Sequence, residues 1–198
     1  MDDKTLLEYY LSAYGPEAGP WNLSPTSLYL ELEIRDFFAN QIKIPEGAQV
    51  CNIGIGAGDW DEYLGHCLHG KGYLTSVDIN PEICETLKYR QTREQHPNPS
   101  TVICEDFLQT SLPDNAFDVA TIIGSTIVEI GKYRETLDNI VKILKPGGLL
   151  FYMDFSKYHT QTQFEDYIRE NNSLKVITKQ TFDRFPSLEF YIFIAEKK

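Results

Sequence analysis

At residues 52–59 the sequence reads Asn52-Ile53-Gly54-Ile55-Gly56-Ala57-Gly58-Asp59. An apolar run that predicts a buried strand, residues 48–53, precedes this turn, and a predicted helix, residues 59–68, follows it. Glycines at alternate positions let the backbone turn sharply and approach a ligand closely. The following helix presents free N–H groups and the positive end of its dipole at the same place. The stretch therefore predicts a nucleotide-binding turn at the carboxyl end of a parallel strand.

From residue 47 onward, short apolar runs alternate with helical stretches. Strands are predicted at 48–53, 72–78, 100–104, 117–124, 149–154, 174–182 and 188–196, and helices at 59–68, 81–94, 133–144 and 162–170. This alternation predicts an α/β fold with a doubly wound, mostly parallel sheet of seven strands and helices on both faces. The last two strands are separated by residues 183–187, which are too few for a parallel crossover. We therefore expect the sheet to end in a C-terminal antiparallel hairpin.

The pattern changes near Pro45-Glu46-Gly47, which divides the chain in two. Residues 1–44 show helical periodicity at 3–14 and 25–40, interrupted by Gly15-Pro16-Glu17-Ala18-Gly19-Pro20, which no helix would cross. This first part is rich in aromatic residues, among them Tyr9, Tyr10, Tyr14 and Trp21. We expect residues 1–44 to form a helical arm that acts as a lid over an active site in a domain of residues 45–198.

Composition limits the partners, the location and the metal sites that we expect for the chain. The chain has 198 residues with 18 Lys and Arg against 29 Asp and Glu, a net charge of −11, so nucleic acid and anionic membranes are disfavoured as partners. The four cysteines form no CxxC pair, and the start of the chain lacks the apolar run of a signal peptide. We expect a cytoplasmic protein with reduced thiols. We expect no metal site, since His66-Cys67-Leu68-His69 lacks four suitably placed ligands.

A carboxylate at the end of the second predicted strand identifies the type of ligand. Asp78 lies twenty residues beyond Gly58, where an acid accepts both hydroxyls of a ribose. The alternative role, capping the next helix, falls to Asn80, which directly precedes Pro81. In the dinucleotide pattern GxGxxG the third glycine would stand at Asp59, and a negative charge is a poor neighbour for a pyrophosphate. These residues favour an adenosyl ligand without phosphate.

Several ordered motifs together resemble the class I S-adenosylmethionine-dependent methyltransferases. The stretches that carry the resemblance are 50–58, 77–80, 104–107, 117–124 and 143–150, and it extends over about residues 46–198. The resemblance implies a Rossmann-like domain that binds S-adenosylmethionine and releases S-adenosylhomocysteine. It implies that Asp78 binds the ribose, Ile79 packs on the adenine and Asp106 meets the adenine amino group. The full set of implied cofactor residues is Asn52, Gly54, Gly56, Gly58, Asp78, Ile79, Asp106, Phe107 and Gly124.

One residue departs from the family pattern. The family usually has Asp or Glu at the position of Asn52, where the acid supports the glycine loop and the methionine amine. Asn52 accepts a hydrogen bond but carries no charge. Either the cofactor binds somewhat more weakly here, or another acid such as Asp59 supplies the missing charge.

The acceptor and the chemistry are less closely specified by sequence. Methyl transfer from a sulfonium requires that the nucleophile, the methyl group and the sulfur are aligned and that water is excluded. A general base is needed only when the nucleophile still carries a proton. The chain has no large insertion near its end, so we expect a small-molecule acceptor, apolar or aromatic, methylated at N or O. We expect the acceptor to lie over the carboxyl ends of strands four and five. The candidate residues there are Ser125, Glu129, Asp154, Lys157, Tyr158 and His159. The candidate catalytic residues are Glu129, Tyr14 and His159.

Two other readings of the same residues stay open. A nicotinamide-dependent oxidoreductase shares the glycine turn and the acid after the second strand, but neither Asp59 nor the terminal hairpin suits it. A non-catalytic partner subunit that kept the fold and lost turnover is consistent with Asn52. The sequence does not indicate an oligomeric state.

Overall fold

The computed structural model describes residues 1–6, 8, 25–185 and 188–198. Residues 3–6 and 8 are helical. Of the predicted arm, Tyr9, Tyr10, Tyr14, Trp21 and the interruption at 15–20 lie outside the described residues. The division at residue 44 and the lid function therefore stay predictions.

Seven strands form one sheet in the order β3-β2-β1-β4-β5-β7-β6. They are β1 (Gln49–Ile53), β2 (Tyr73–Asp78), β3 (Thr101–Cys104), β4 (Phe117–Ile123), β5 (Leu144–Phe155), β6 (Leu174–Phe185) and β7 (Leu188–Lys197). Strands β1 to β5 pair in parallel, and β7 is antiparallel to both β5 and β6. The predicted doubly wound sheet with its terminal hairpin is confirmed.

Six helices are described besides the short helical stretch near the start of the chain. They are α1 (Pro25–Gln41), α2 (Asp59–Leu68), α3 (Pro81–Arg93), α4 (Thr126–Ile130), α5 (Tyr133–Ile143) and α6 (Gln161–Asn171). Local sequence explains their starts. The Asn80 side chain accepts from Glu82 N at 2.9 Å at the start of α3, and Thr160 and Gln163 form a capping box at α6.

Three local details differ from the predicted elements. Helix α4 was not predicted, because five residues are too few to show helical periodicity. A 3₁₀ turn at Phe107–Gln109 was missed for the same reason. Strand β5 begins at Leu144 rather than Leu149, because Leu144 pairs with Phe117 before a register shift in the β4–β5 ladder.

The two faces of the sheet bury separate clusters. On one face α1 and α2 cover strand residues such as Val50 and Phe151, and Phe37 and Phe38 of α1 are 7% and 1% exposed. On the other face α5 and α6 cover residues such as Ile122. Helix α1 is thus part of the layer that covers the sheet. Among the described residues, no helix is long and apolar enough to cross a bilayer.

Candidate active site

A cavity of about 640 Å³ lies beyond the carboxyl ends of β1, β2 and β4. Strand order reverses between β1 and β4, and ligands of open α/β sheets bind at such a switch point. Most of the predicted site residues line it, namely the cofactor candidates Gly54, Gly56, Asp78, Ile79, Asp106, Phe107 and Gly124 and the catalytic candidate Glu129. Asn52, Gly58 and His159 are not among the lining residues, and Tyr14 lies outside the described residues.

The glycine loop forms the floor of this cavity. Gly54 has φ +83° and donates its N–H to Val77 O at 2.8 Å. A Cβ at Gly54 would collide with the side chain of Thr126 at the start of α4, so only glycine fits there. A Cβ at Gly56 would meet nothing within 4 Å, so this part of the backbone is open to a ligand.

The third glycine of the loop, Gly58, lets α3 pack closely against the loop and does not line the cavity. Gly58 precedes α2 with φ +83°, and a Cβ there would lie 3.1 Å from Leu87 and 3.3 Å from Arg90 of α3. Arg90 is only 5% exposed, donates to Ala57 O at 2.5 Å and forms ion pairs with Glu62 and Asp59. Asp59 thus lies beside Arg90 and not among the residues that line the cavity. Helix α3 therefore holds the glycine loop from behind.

Asn52 lies beneath the loop in a buried polar network. Its Nδ2 donates to both oxygens of Asp61 at 3.0 Å and to Gly54 O at 3.1 Å, and its Oδ1 accepts from Thr121 Oγ1 at 2.8 Å. Asp61 also accepts from Ser76 and is 2% exposed. Burial raises the pKa of Asp61 to about 7, against the opposing effect of these hydrogen bonds. The carboxylate at this point is an acid that the sequence analysis did not single out.

The cavity has one end beyond β2 and β3, formed by Asp78, Ile79, Asp106 and Phe107, called here the β2–β3 end. The Asp78 carboxylate accepts from Ile55 N at 2.9 Å and from Asn80 N at 2.8 Å. Each carboxylate oxygen has two lone pairs, so both can accept further hydrogen bonds. Ile79 lines the cavity and is 68% exposed, so its apolar side chain is accessible to a ligand.

Asp106 and Phe107 complete this end from β3. Asp106 Oδ1 accepts from Leu108 N at 2.9 Å and so caps the 3₁₀ turn. Phe107 is 4% exposed and packs in the core beneath the cavity wall. An exposed apolar surface next to two carboxylates suits a flat base attached to a ribose.

The opposite end, called here the β4–β5 end, is formed by Trp60, Ser125, Glu129, Ile130 and Phe155. Glu129 is exposed and accepts a hydrogen bond from Ser125. Trp60 was missed by the sequence analysis. Its indole N–H donates to Thr121 Oγ1 at 3.2 Å, and its ring stacks on Phe151 with centroids 5.7 Å apart. Phe155 was missed as well, although it directly follows Asp154 at the end of β5.

His159 belongs to a neighbouring cluster. Its Nδ1 lies 2.7 Å from Asp154 Oδ2, and its ring lies against Tyr133 with centroids 4.6 Å apart. Asp154 is 1% exposed and also accepts from Tyr152 and from Phe155 N. Burial raises the pKa of Asp154. In this position His159 ties the loop after β5 to the end of that strand.

The charge of the cavity discriminates between nucleotides. The described residues that line it include four acids and no Lys, Arg or His; the acids are Asp78, Glu105, Asp106 and Glu129. Such a lining attracts a cation and repels a pyrophosphate. It fits a positively charged adenosyl sulfonium with the ribose at Asp78.

A family model described as a methyltransferase domain matches residues 50–148, which is half of the chain. The chain belongs to this methyltransferase family. The sequence-based assignment to class I S-adenosylmethionine-dependent methyltransferases is confirmed, and with it S-adenosylmethionine as the cofactor at the level of the family.

Similar proteins and structures agree with this family. The methyltransferase is 25% identical over 134 residues to a demethylmenaquinone methyltransferase of Listeria monocytogenes serotype 4a, covering 68% of this chain and 56% of that protein. It is 30% identical over 112 residues to a 2-phytyl-1,4-naphtoquinone methyltransferase of Nostoc punctiforme, covering 56% and 48%. The chain thus spans about half the length of these curated relatives. The structure of a SAM dependent methyltransferase from Aquifex aeolicus has the same fold, with a TM-score of 0.67 at 15% identity over the whole of both chains.

Proposed function

We propose that this methyltransferase transfers a methyl group to a hydroxyl group of a small aromatic acceptor. The observation that carries this proposal is the two-ended cavity. Carboxylates and the exposed Ile79 form the β2–β3 end, while Glu129, Trp60 and Phe155 all line the β4–β5 end. The first end suits an adenosine and the second suits an aromatic ring with an ionisable group.

At the β2–β3 end the proposed roles follow from the hydrogen bonds already made. Asp78 accepts from the ribose hydroxyls with the lone pairs that Ile55 N and Asn80 N leave available. Ile79 covers one face of the adenine, and Asp106 Oδ2 accepts from its amino group. Gly54, Gly56 and Gly124 let the backbone approach the rest of the cofactor. When bound, the cofactor supplies an electrophilic methyl group on a positively charged sulfur and leaves as S-adenosylhomocysteine.

The remaining cofactor candidates act through the loop. Asn52 bonds to Gly54 O and to Asp61, and Gly58 lets α2 and α3 pack closely. Neither lines the cavity, so both are positioning residues in this proposal.

At the β4–β5 end Glu129 is the proposed general base. The acceptor oxygen gains the methyl group as its proton passes to Glu129, whose carboxylate Ser125 orients. Trp60, Ile130 and Phe155 hold the aromatic ring and exclude water from one side of the reaction. Tyr14 and His159 stay catalytic candidates, and of the three only Glu129 lines the cavity among the described residues.

Methylation of a ring carbon is a second candidate reaction. The names of two relatives specify demethylmenaquinone and 2-phytyl-1,4-naphtoquinone. In a reduced quinone, loss of a hydroxyl proton makes the adjacent ring carbon nucleophilic, so the same base at Glu129 would serve. The position of the methyl group in the product separates the two reactions.

The expectations about other ligands, about partners and about location remain proposals, and physical arguments support each of them. The acidic lining opposes a nicotinamide dinucleotide, and the net charge of −11 opposes binding to nucleic acid or to anionic membranes. A cytoplasmic location agrees with the four cysteines, all of which are free.

Calorimetric titration tests the cofactor assignment first. We expect S-adenosylmethionine and S-adenosylhomocysteine to bind with micromolar dissociation constants and NAD not to bind. Labelled S-adenosylmethionine is then incubated with 1-naphthol, with 1,4-naphthohydroquinone and with an aliphatic alcohol as the control. Transfer to an aromatic acceptor alone supports the proposal, and NMR of the product locates the methyl group. Cofactor binding without transfer to any acceptor would instead favour a non-catalytic partner subunit.

A further inference from the structure

Two of the four cysteines lie together behind the β2–β3 end of the cavity. The Cys84 thiol of α3 lies 3.5 Å from Asp78 O and 4.0 Å from Ile103 O. The Cys104 thiol at the end of β3 lies 3.8 Å from Ile79 O. Both thiols therefore contact the backbone at the end of β2, at the adjacent residues Asp78 and Ile79.

The β2–β3 ladder explains this proximity. Asp78 and Cys104 are direct partners in the parallel register, so the ends of the two strands are adjacent. Val102 packs with Cys84 in one apolar cluster, and Cys104, two residues further along β3, faces the same side of the sheet. Both sulfur atoms therefore lie between α3 and the strand ends.

We propose that Cys84 and Cys104 form a disulfide under oxidising conditions, and that this bond weakens ligand binding at the β2–β3 end of the cavity. The second part of the inference rests on the proposed function, because it assumes that the cofactor binds there. The first part depends only on the two thiols.

The difference in exposure between the two thiols determines which of them reacts first. Cys104 is exposed, whereas Cys84 is 2% exposed and burial raises the pKa of its thiol to about 12. With a small-molecule disulfide as oxidant, the Cys104 thiolate attacks one sulfur, the small disulfide bond breaks and one small thiol leaves with the electron pair. The Cys84 thiolate then attacks Cys104 and displaces the second small thiol. The protein loses two electrons and two protons, and the oxidant becomes two thiols.

The bond has a structural consequence at the cavity. An S–S bond of about 2.05 Å is much shorter than a contact between thiols, so we expect its formation to draw α3 and the end of β3 toward each other. Cys104 is followed by Glu105, whose N–H donates to Asp78 O at 3.0 Å, and then by Asp106. A shift of Cys104 therefore displaces the carboxylates on both sides of the proposed adenosine position.

The test uses glutathione disulfide on the full chain. Intact mass and tryptic mapping follow the bond, and calorimetry with S-adenosylhomocysteine follows affinity before and after oxidation. We expect a Cys84–Cys104 disulfide, a mass lower by two hydrogen atoms and affinity at least fivefold weaker, all reversed by dithiothreitol. Cys104→Ser should lose both responses, whereas Cys67→Ser, which removes a thiol from α2, should keep them.

The outcomes separate this inference from the proposed function. Failure of the reduced protein to bind S-adenosylhomocysteine overturns the cofactor assignment, while mapping of the disulfide still decides the thiol pair. Absence of a Cys84–Cys104 bond after oxidation overturns the pair itself. A complete disulfide with unchanged affinity overturns the predicted effect on the cavity.

Discussion

The side-chain amide of Asn52 donates to both oxygens of the Asp61 carboxylate, at 3.0 Å to each. Asn52 occupies the position where related methyltransferases usually carry an acid, and its partner supplies a carboxylate nine residues later in the chain. Asn52 also contacts Gly54 O, so the pair connects the buried acid to the glycine loop. Asn52 is thus hydrogen-bonded to a buried carboxylate, whereas Asp59, the acid that the sequence suggested, pairs with Arg90.

Asp61 makes stability depend on pH. Burial raises its pKa to about 7 in the folded protein, well above the value of 3.8 for a free side chain. The unfolded chain therefore releases this proton at lower pH, and the contribution of Asp61 to stability falls as pH rises from about 4 to about 7. Between pH 5 and pH 8 we expect the free energy of unfolding to fall by an amount on the order of 2 kcal/mol from this group alone.

Urea unfolding of Asp61→Asn at pH 5 and pH 8 measures this contribution. The variant cannot ionise at this position, so its stability should lose less over the same interval than that of the parent protein. Asp36→Asn removes an exposed acid of α1 and should behave like the parent protein. An equal pH dependence in Asp61→Asn and the parent protein would show that Asp61 has an ordinary pKa.

The sequence predicted the sheet because its strands are short apolar runs and the turns between them carry glycine, proline or asparagine. The burial of Asp61 could also have been predicted from the sequence. Asp61 lies three residues before Leu64 and seven before Leu68, and this spacing places all three on one buried face of α2. The contact between Arg90 and Ala57, in contrast, could not have been predicted from a local sequence pattern. It joins residues 33 positions apart through packing of α3 behind the loop, which no local spacing specifies.

Arg90→Met should destabilise the protein and loosen the glycine loop. The change removes the bond to Ala57 O and leaves the partly buried Glu62 without its cation, at a cost of about 3 kcal/mol. We expect weaker binding of S-adenosylhomocysteine together with a lower unfolding midpoint. Arg93→Met is the matched control, because Arg93 lies on the same helix but forms only a solvent-exposed pair with Asp3. Similar losses in both variants would rule out a special role for the Arg90 contacts.

Asp78→Ala should weaken S-adenosylmethionine binding at least tenfold, about 1.4 kcal/mol, because it removes the proposed ribose acceptor. The alanine variant also leaves Ile55 N without its acceptor, so part of the loss would come from the loop. Asp78→Asn keeps one oxygen for Ile55 N and loses the acceptor of Asn80 N, so it separates the loss of the carboxylate from the loss of the loop contact. Calorimetry on both variants, with thermal unfolding to verify folding, makes the distinction. Unchanged affinity in folded Asp78→Ala would sink the ribose assignment.

Glu129→Gln should reduce methyl transfer about 100-fold while leaving the affinity for S-adenosylhomocysteine within about twofold. Glutamine keeps the size of the side chain but cannot take the acceptor proton. Ser125→Ala removes only the hydrogen bond that orients Glu129, so its loss of rate should be smaller. Single-turnover rates with naphthols of decreasing hydroxyl pKa provide the decisive comparison. An acceptor that is already ionised needs no base, so the defect of Glu129→Gln should shrink along the series, and a constant defect would assign Glu129 to acceptor positioning instead.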